Sequence, residues 1–86
     1  MKKISIFTSL ICPYCTTAKK VLVEQGHDYR EIIVDGDQNS KNIMIKKSGG
    51  RKTVPQIFID DFHIGGCEDL INAVNTGFFD KKINEK

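Results

Sequence analysis

Two cysteines three positions apart, Cys12 and Cys15 in Ile11-Cys12-Pro13-Tyr14-Cys15, are the residues best placed to do chemistry. A C-x-x-C pair can exchange between dithiol and disulfide, and its reactivity depends on how far the local field favours a thiolate. Pro13 is suited to the first position of a helix, where its missing N–H is no loss. That makes Cys12 the N-cap and Cys15 the third helical residue. No Ser, Thr, Asp or Asn stands at the cap. The Cys12 sulfur is therefore the side chain left to accept the free N–H groups of Tyr14 and Cys15, and a thiolate accepts better than a thiol. A fall in its pKa from about 8.5 to about 5 would raise the thiolate fraction at pH 7 roughly 30-fold. Intrinsic nucleophilicity would drop about 40-fold at a Brønsted slope near 0.45, so the clearer gain is a sulfur that leaves readily. This favours a rapid exchange catalyst. The other use of such a pair, half of a metal site, would need ligands from Cys67, His63 or His27, which stand at no zinc spacing, so no metal is expected.

These thiols need a scaffold, and 86 residues with 40% hydrophobic and 28% charged residues suit one globular domain over 1–86. An odd cysteine count with no secretory signal at the start points to thiol chemistry in a reducing cytoplasm rather than to a disulfide framework. No apolar run is long enough for a membrane span, and a net charge of +2 is too mild for a nucleic-acid binder. Strands are expected over Lys3–Thr8, Asp28–Val34, Gln56–Ile59 and Phe62–Ile64, the last two forming a hairpin across Asp60-Asp61. Helices are expected from the C-x-x-C pair to Gln25, from Gln38 to Ser48 with Ile43 and Met44 inward, and from Cys67 to Thr76. The tail to Lys86 reads as a short frayed helix carrying Phe78 and Phe79, and Phe7, Phe58 and Phe62 read as core. The order β-α-β-α-β-β-α gives an α/β fold, a mixed sheet with helices on its faces.

With Cys12-Pro13-Tyr14-Cys15, then Thr53-Val54-Pro55-Gln56-Ile57-Phe58-Ile59, then Gly65-Gly66-Cys67-Glu68-Asp69-Leu70, the chain resembles a glutaredoxin of the small bacterial dithiol type. The resemblance runs from Ile4 to about Gly77. It implies a thioredoxin fold with a four-stranded mixed sheet, and glutathione as reducing cosubstrate. Cys12 would be the nucleophile and Cys15 the resolving thiol, with Tyr14 flanking the sulfur. Thr53-Val54-Pro55 would be the cis-proline segment, pairing its Val54 backbone with the cysteinyl part of glutathione. The backbone amides of Cys67 and Glu68, after Gly66, would hold the γ-glutamyl carboxylate, and Asp69 its ammonium. Plain capping by acidic residues is the bland alternative for this segment. Relatives commonly carry a lysine where this chain has Ser9, so Arg51 or Lys52 is assigned the glycyl carboxylate. Cys67 would act through its backbone.

The partners so implied are glutathione and glutathionylated or disulfide-containing proteins, met by a monomer. Two rival readings remain. One is an electron donor reduced by thioredoxin reductase and serving, for instance, ribonucleotide reductase. The other is an iron–sulfur carrier, disfavoured by Pro13 where cluster carriers usually have glycine.

Overall fold

Alternation along two short strands decides which way the sheet faces. Ile4 and Ile6 of the first strand, with Ile57 and Ile59 of the third, bury one face, while Phe7 and Phe58 between them bury the other. The computed structural model describes residues 2–85; Met1 and Lys86, the two ends of the expected domain, lie outside them. The elements are β1 (Ile4–Thr8), α1 (Pro13–Glu24), β2 (Arg30–Ile33), α2 (Gln38–Lys47), β3 (Gln56–Ile59), β4 (Phe62–Gly65), α3 (Cys67–Thr76) and α4 (Phe78–Ile83).

The sheet runs β2-β1-β3-β4, with β1 parallel to β2 and antiparallel to β3, and β3 antiparallel to β4. Ala18 and Leu22 of α1, Leu70 and Ala73 of α3 and Phe79 of α4 cover the isoleucine face. Met44 of α2 and Val34 cover the phenylalanine face, where the Phe7 and Phe58 rings meet edge-on at 5.7 Å. Thr8, fully buried at the end of β1, donates to Glu31 Oε2 at 2.7 Å, and Lys19 Nζ meets the same oxygen at 2.9 Å. The Lys19 bond first, and the Thr8 bond second, hold the Glu31 carboxyl below its ordinary range. One carboxylate thus ties α1 to both strands of the parallel unit. This is the thioredoxin arrangement that the resemblance implies.

Three expectations are corrected. Ile43 is 46% exposed while Met44 is fully buried, because α2 covers the phenylalanine face along a narrow stripe that takes in Met44 and leaves Ile43 outside. Phe62 lies outside the core: it sits on the edge strand β4 and packs on the surface against Phe78 at 5.9 Å, with Lys82 Nζ 4.2 Å from its ring centroid. The tail is a packed helix over Phe78–Ile83 rather than a frayed one, since Phe79 is 1% exposed and docks into the core beside the His27 ring. Gly77 makes the sharp turn from α3 into α4 at φ 81°, a left-handed conformation in which glycine carries no steric strain.

Candidate functional site

The loop from β1 into α1 delivers the cysteine pair at the C-terminal end of an interior strand. Pro13 occupies the first turn of α1 and Cys12 is its N-cap, with extended backbone at φ −154° and ψ 96°. Of the two amides expected to reach the sulfur, Cys15 N–H makes the bond, donating to Cys12 Sγ at 3.1 Å. The two cysteines are joined by a disulfide, their Cα atoms 5.2 Å apart. Cys12 is half-buried and Cys15 is 1% exposed, so a partner outside the protein meets Cys12 first. In the reduced protein a Cys12 thiolate would keep the Cys15 amide and the positive end of α1 as its stabilisers. Its pKa is expected well below the roughly 8.5 of a free thiol. Thiolate absorbance titrated in a Cys15→Ser, Cys67→Ser background measures it, and a value near that of a free thiol would sink the capping argument.

Ser9, at the position where the resemblance implies a lysine, is not idle. Its hydroxyl donates to Asp35 Oδ1 at 2.7 Å and Oδ2 at 2.9 Å, and the Leu10 amide donates to Oδ2 at 3.0 Å. The Leu10 amide first, then the Ser9 hydroxyl, keep the Asp35 carboxyl below its usual range. A lysine introduced at position 9 would find that carboxylate as its partner, which dilutes its expected influence on Cys12.

An open groove of about 680 Å³ comes up to Cys12 at Val54, with Cys12 itself outside its lining. Tyr14, Arg51, Thr53, Val54, Pro55, Gly66, Cys67, Glu68 and Asp69 line it, so three separate sequence motifs converge. Thr17 and Ile71 also line it. Sequence reasoning missed both, although each lies one helical turn beyond an expected residue, Tyr14 and Cys67. Lys52 is exposed and is not among the lining residues. The Val54–Pro55 bond is cis, and the Val54 carbonyl oxygen lies 3.9 Å from Cys12 Sγ, which links groove to sulfur. Behind this segment the buried Gln56 donates to the Thr53 carbonyl at 3.1 Å, and its own Oε1 sits 2.6 Å from His63 Nε2. Burial first, then the Arg51 charge, lowers the pKa of His63, so the ring is neutral at pH 7. His63 Nε2 then carries the proton it shares with Gln56.

Gly66 caps α3 with extended backbone. The first amides of α3 have no partner within the helix, as at any helix start. Asp69 Oδ2 accepts the Gly66 N–H at 2.9 Å and lies 3.9 Å from an Arg51 guanidinium nitrogen. The plain capping role therefore exists, and among the described residues Asp69 Oδ1 has no bonded donor. The two glycines differ in purpose. Gly65 has φ 122°, and a Cβ there would strike the Asp69 carboxylate. A Cβ at Gly66 would stand 3.5 Å from the Pro55 carbonyl oxygen and 3.8 Å from Arg51, inside the groove without a backbone clash. Burial first, and then Glu68, push the Cys67 thiol up, so it stays protonated at neutral pH. Among the described residues no group of three or more His, Cys, Asp or Glu side chains is placed to hold a metal.

A protein-family profile described as Glutaredoxin matches residues 4–64. Glutaredoxin 1 of Rickettsia typhi is 51% identical over 81 residues, covering 93% of this chain and 78% of that protein. Glutaredoxin 3 of Escherichia coli is 50% identical over 70 residues, covering 81% and 83%. Among solved structures, a glutaredoxin from Brucella melitensis superposes with a TM-score of 0.82 at 37% identity, over 96% of this chain and 89% of that one. A buckwheat glutaredoxin–glutathione complex gives 0.84 at 26% identity, over 98% and 78%.

Proposed function

The chain belongs to the glutaredoxin family and is a thiol–disulfide oxidoreductase with a Cys12–Cys15 pair, and from that premise we propose that glutathione is its reductant. The groove beside Cys12 is the observation that carries this reading. It joins a helix start with unpartnered amides, an acidic side chain and a guanidinium, and it ends at a carbonyl 3.9 Å from the sulfur. Glutathione carries an ammonium, two carboxylates and a central thiol, which matches those groups in kind. The buckwheat relative was solved as a glutathione complex, which supports the same assignment.

In this mechanism the Cys12 thiolate attacks a glutathionylated protein at the glutathione sulfur, and the protein thiolate leaves. The amides of Cys67 and Glu68 hold the γ-glutamyl carboxylate and Asp69 meets the ammonium, which releases Arg51 from its place 3.9 Å from Asp69 to turn toward the glycyl carboxylate. The Val54 backbone pairs with the cysteinyl unit. A second glutathione, as thiolate, attacks the mixed disulfide and releases oxidised glutathione and the Cys12 thiolate. With a protein disulfide, Cys15 attacks Cys12 Sγ instead and closes the intramolecular bond, which two glutathiones reopen. We place these steps in the cytoplasm, on a monomer, with disulfide-containing and glutathionylated proteins as clients, ribonucleotide reductase among the candidates. Turnover of a small glutathionylated disulfide with glutathione, glutathione reductase and NADPH tests the reading. Activity with thioredoxin reductase and none in that assay would overturn it.

Charge and capping at Asp69 separate cleanly. Asp69→Asn keeps an acceptor for the Gly66 amide but loses the charge, so its KM for glutathione should rise about fivefold with little change in Tm. Asp69→Ala should show the same kinetic loss and also lose about 1 kcal/mol of stability through the missing cap. Glutathione dependence and thermal melts of both variants decide it; unchanged kinetics in Asp69→Asn would leave the carboxylate as a helix cap alone.

A further inference from the structure

Leu10 and Ile11, the two residues before the nucleophile, are 73% and 92% exposed, and Tyr14 after it is 71% exposed. Folding gains nothing from large apolar side chains left in water. The loop is not simply loose there, because Asp35 binds the Ser9 hydroxyl and the Leu10 amide and anchors the backbone that leads to Ile11. Tyr14 lines the groove assigned to glutathione, but Leu10 and Ile11 do not. They are exposed apolar side chains directly before Cys12 in the chain.

We propose that Leu10 and Ile11 are a docking ledge for the polypeptide arm of protein disulfides, and that they favour substrates with an apolar residue beside the reacting cysteine. The proposal rests on Cys12 as nucleophile, and that chemistry identifies the occupant. When the Cys12 thiolate attacks a substrate disulfide, a bond forms from Cys12 Sγ to one substrate sulfur, and the other sulfur leaves as a thiolate. The substrate chain is then tethered one residue from Ile11, and neighbouring residues of a chain lie 3.8 Å apart, so the flanks of its cysteine reach the ledge. Cys15 next attacks Cys12 Sγ and expels the second substrate thiolate. Two electrons pass from the Cys12–Cys15 dithiol to the substrate, and the protein's two thiol protons end on the substrate's sulfurs or in water. The groove assigned to glutathione is lined by neither Leu10 nor Ile11, so glutathione bound there leaves both free.

The test needs no glutathione. Protein pre-reduced with dithiothreitol and desalted is mixed with either of two synthetic peptides, each with one internal disulfide. They are identical except for Leu or Ser on both sides of the reacting cysteine. The expected result is a second-order rate constant about tenfold higher for the Leu peptide, equivalent to about 1.4 kcal/mol. In a Leu10→Ser, Ile11→Ser variant this preference should fall below about twofold, with the Ser peptide reacting as before and the thermal midpoint kept. Equal rates of the wild type on both peptides would overturn the proposal, as would a preference surviving in the variant or an equal loss on both peptides. A retained Leu preference in a protein that glutathione fails to turn over would overturn the glutathione reading and leave the ledge standing.

Discussion

Cys12→Ser should lose every thiol–disulfide exchange, by a factor on the order of 10³ or more, because the alcohol neither ionises at neutral pH nor forms a disulfide. Cys15→Ser should divide the two reactions. Deglutathionylation should persist, since a second glutathione can resolve the Cys12 intermediate, whereas reduction of protein disulfides should fall steeply without an internal thiol to expel the substrate. The asymmetry follows from placement: Cys12 is half-buried at the helix cap, and Cys15 is closed off one turn inside. Both assays run side by side on both variants read it out. Deglutathionylation retained by Cys12→Ser and lost by Cys15→Ser would reverse the roles of the two sulfurs.

Phe79→Ala should cost about 3–5 kcal/mol, since a ring 1% exposed would leave a cavity between α4 and the isoleucine face. Set against the 5–15 kcal/mol typical of a domain, that loss puts much of the population at risk of unfolding. Phe78→Ala, at a ring 43% exposed and packed on Phe62, should cost no more than about 1.5 kcal/mol. Urea midpoints of the two variants compare them directly. Equal, small shifts would return the tail to the frayed helix that its lysines suggest.

What could be read in advance was local chemistry. Pro13 announces the helix start, its place gives Cys12 the cap, and Gln56-Ile57-Phe58-Ile59 after a proline reads as a strand, while its burial on both faces comes from the fold. Periodicity faltered where the extent of cover mattered. It put Ile43 and Met44 on one inward face, but only a neighbour's width decides which is sealed. The tail misled for a related reason: its composition is charged, and one phenylalanine outweighs that once α3 turns at Gly77 and aims it at the core. Among the groove residues, Arg51 and Lys52 looked equivalent as adjacent cations, and only the path of the loop brings Arg51 over Asp69. The Ser9–Asp35 contact joins residues 26 apart in the chain, a separation no motif spans.

That contact bears on how quickly a partner can be engaged. Ordering a free backbone costs roughly 1–2 kcal/mol per residue, and for Ser9 and Leu10 this ordering happens when the protein folds, not when a substrate arrives. An encounter therefore meets a surface already in its final shape, with little entropy left to lose. Because the Asp35 carboxyl is held below its usual range, the anchoring persists well into acid and lapses only as pH falls through that lowered value. Over the neutral range the pH dependence of exchange should therefore follow the ionisation of the sulfur alone, with nothing added by the Ser9–Leu10 anchoring.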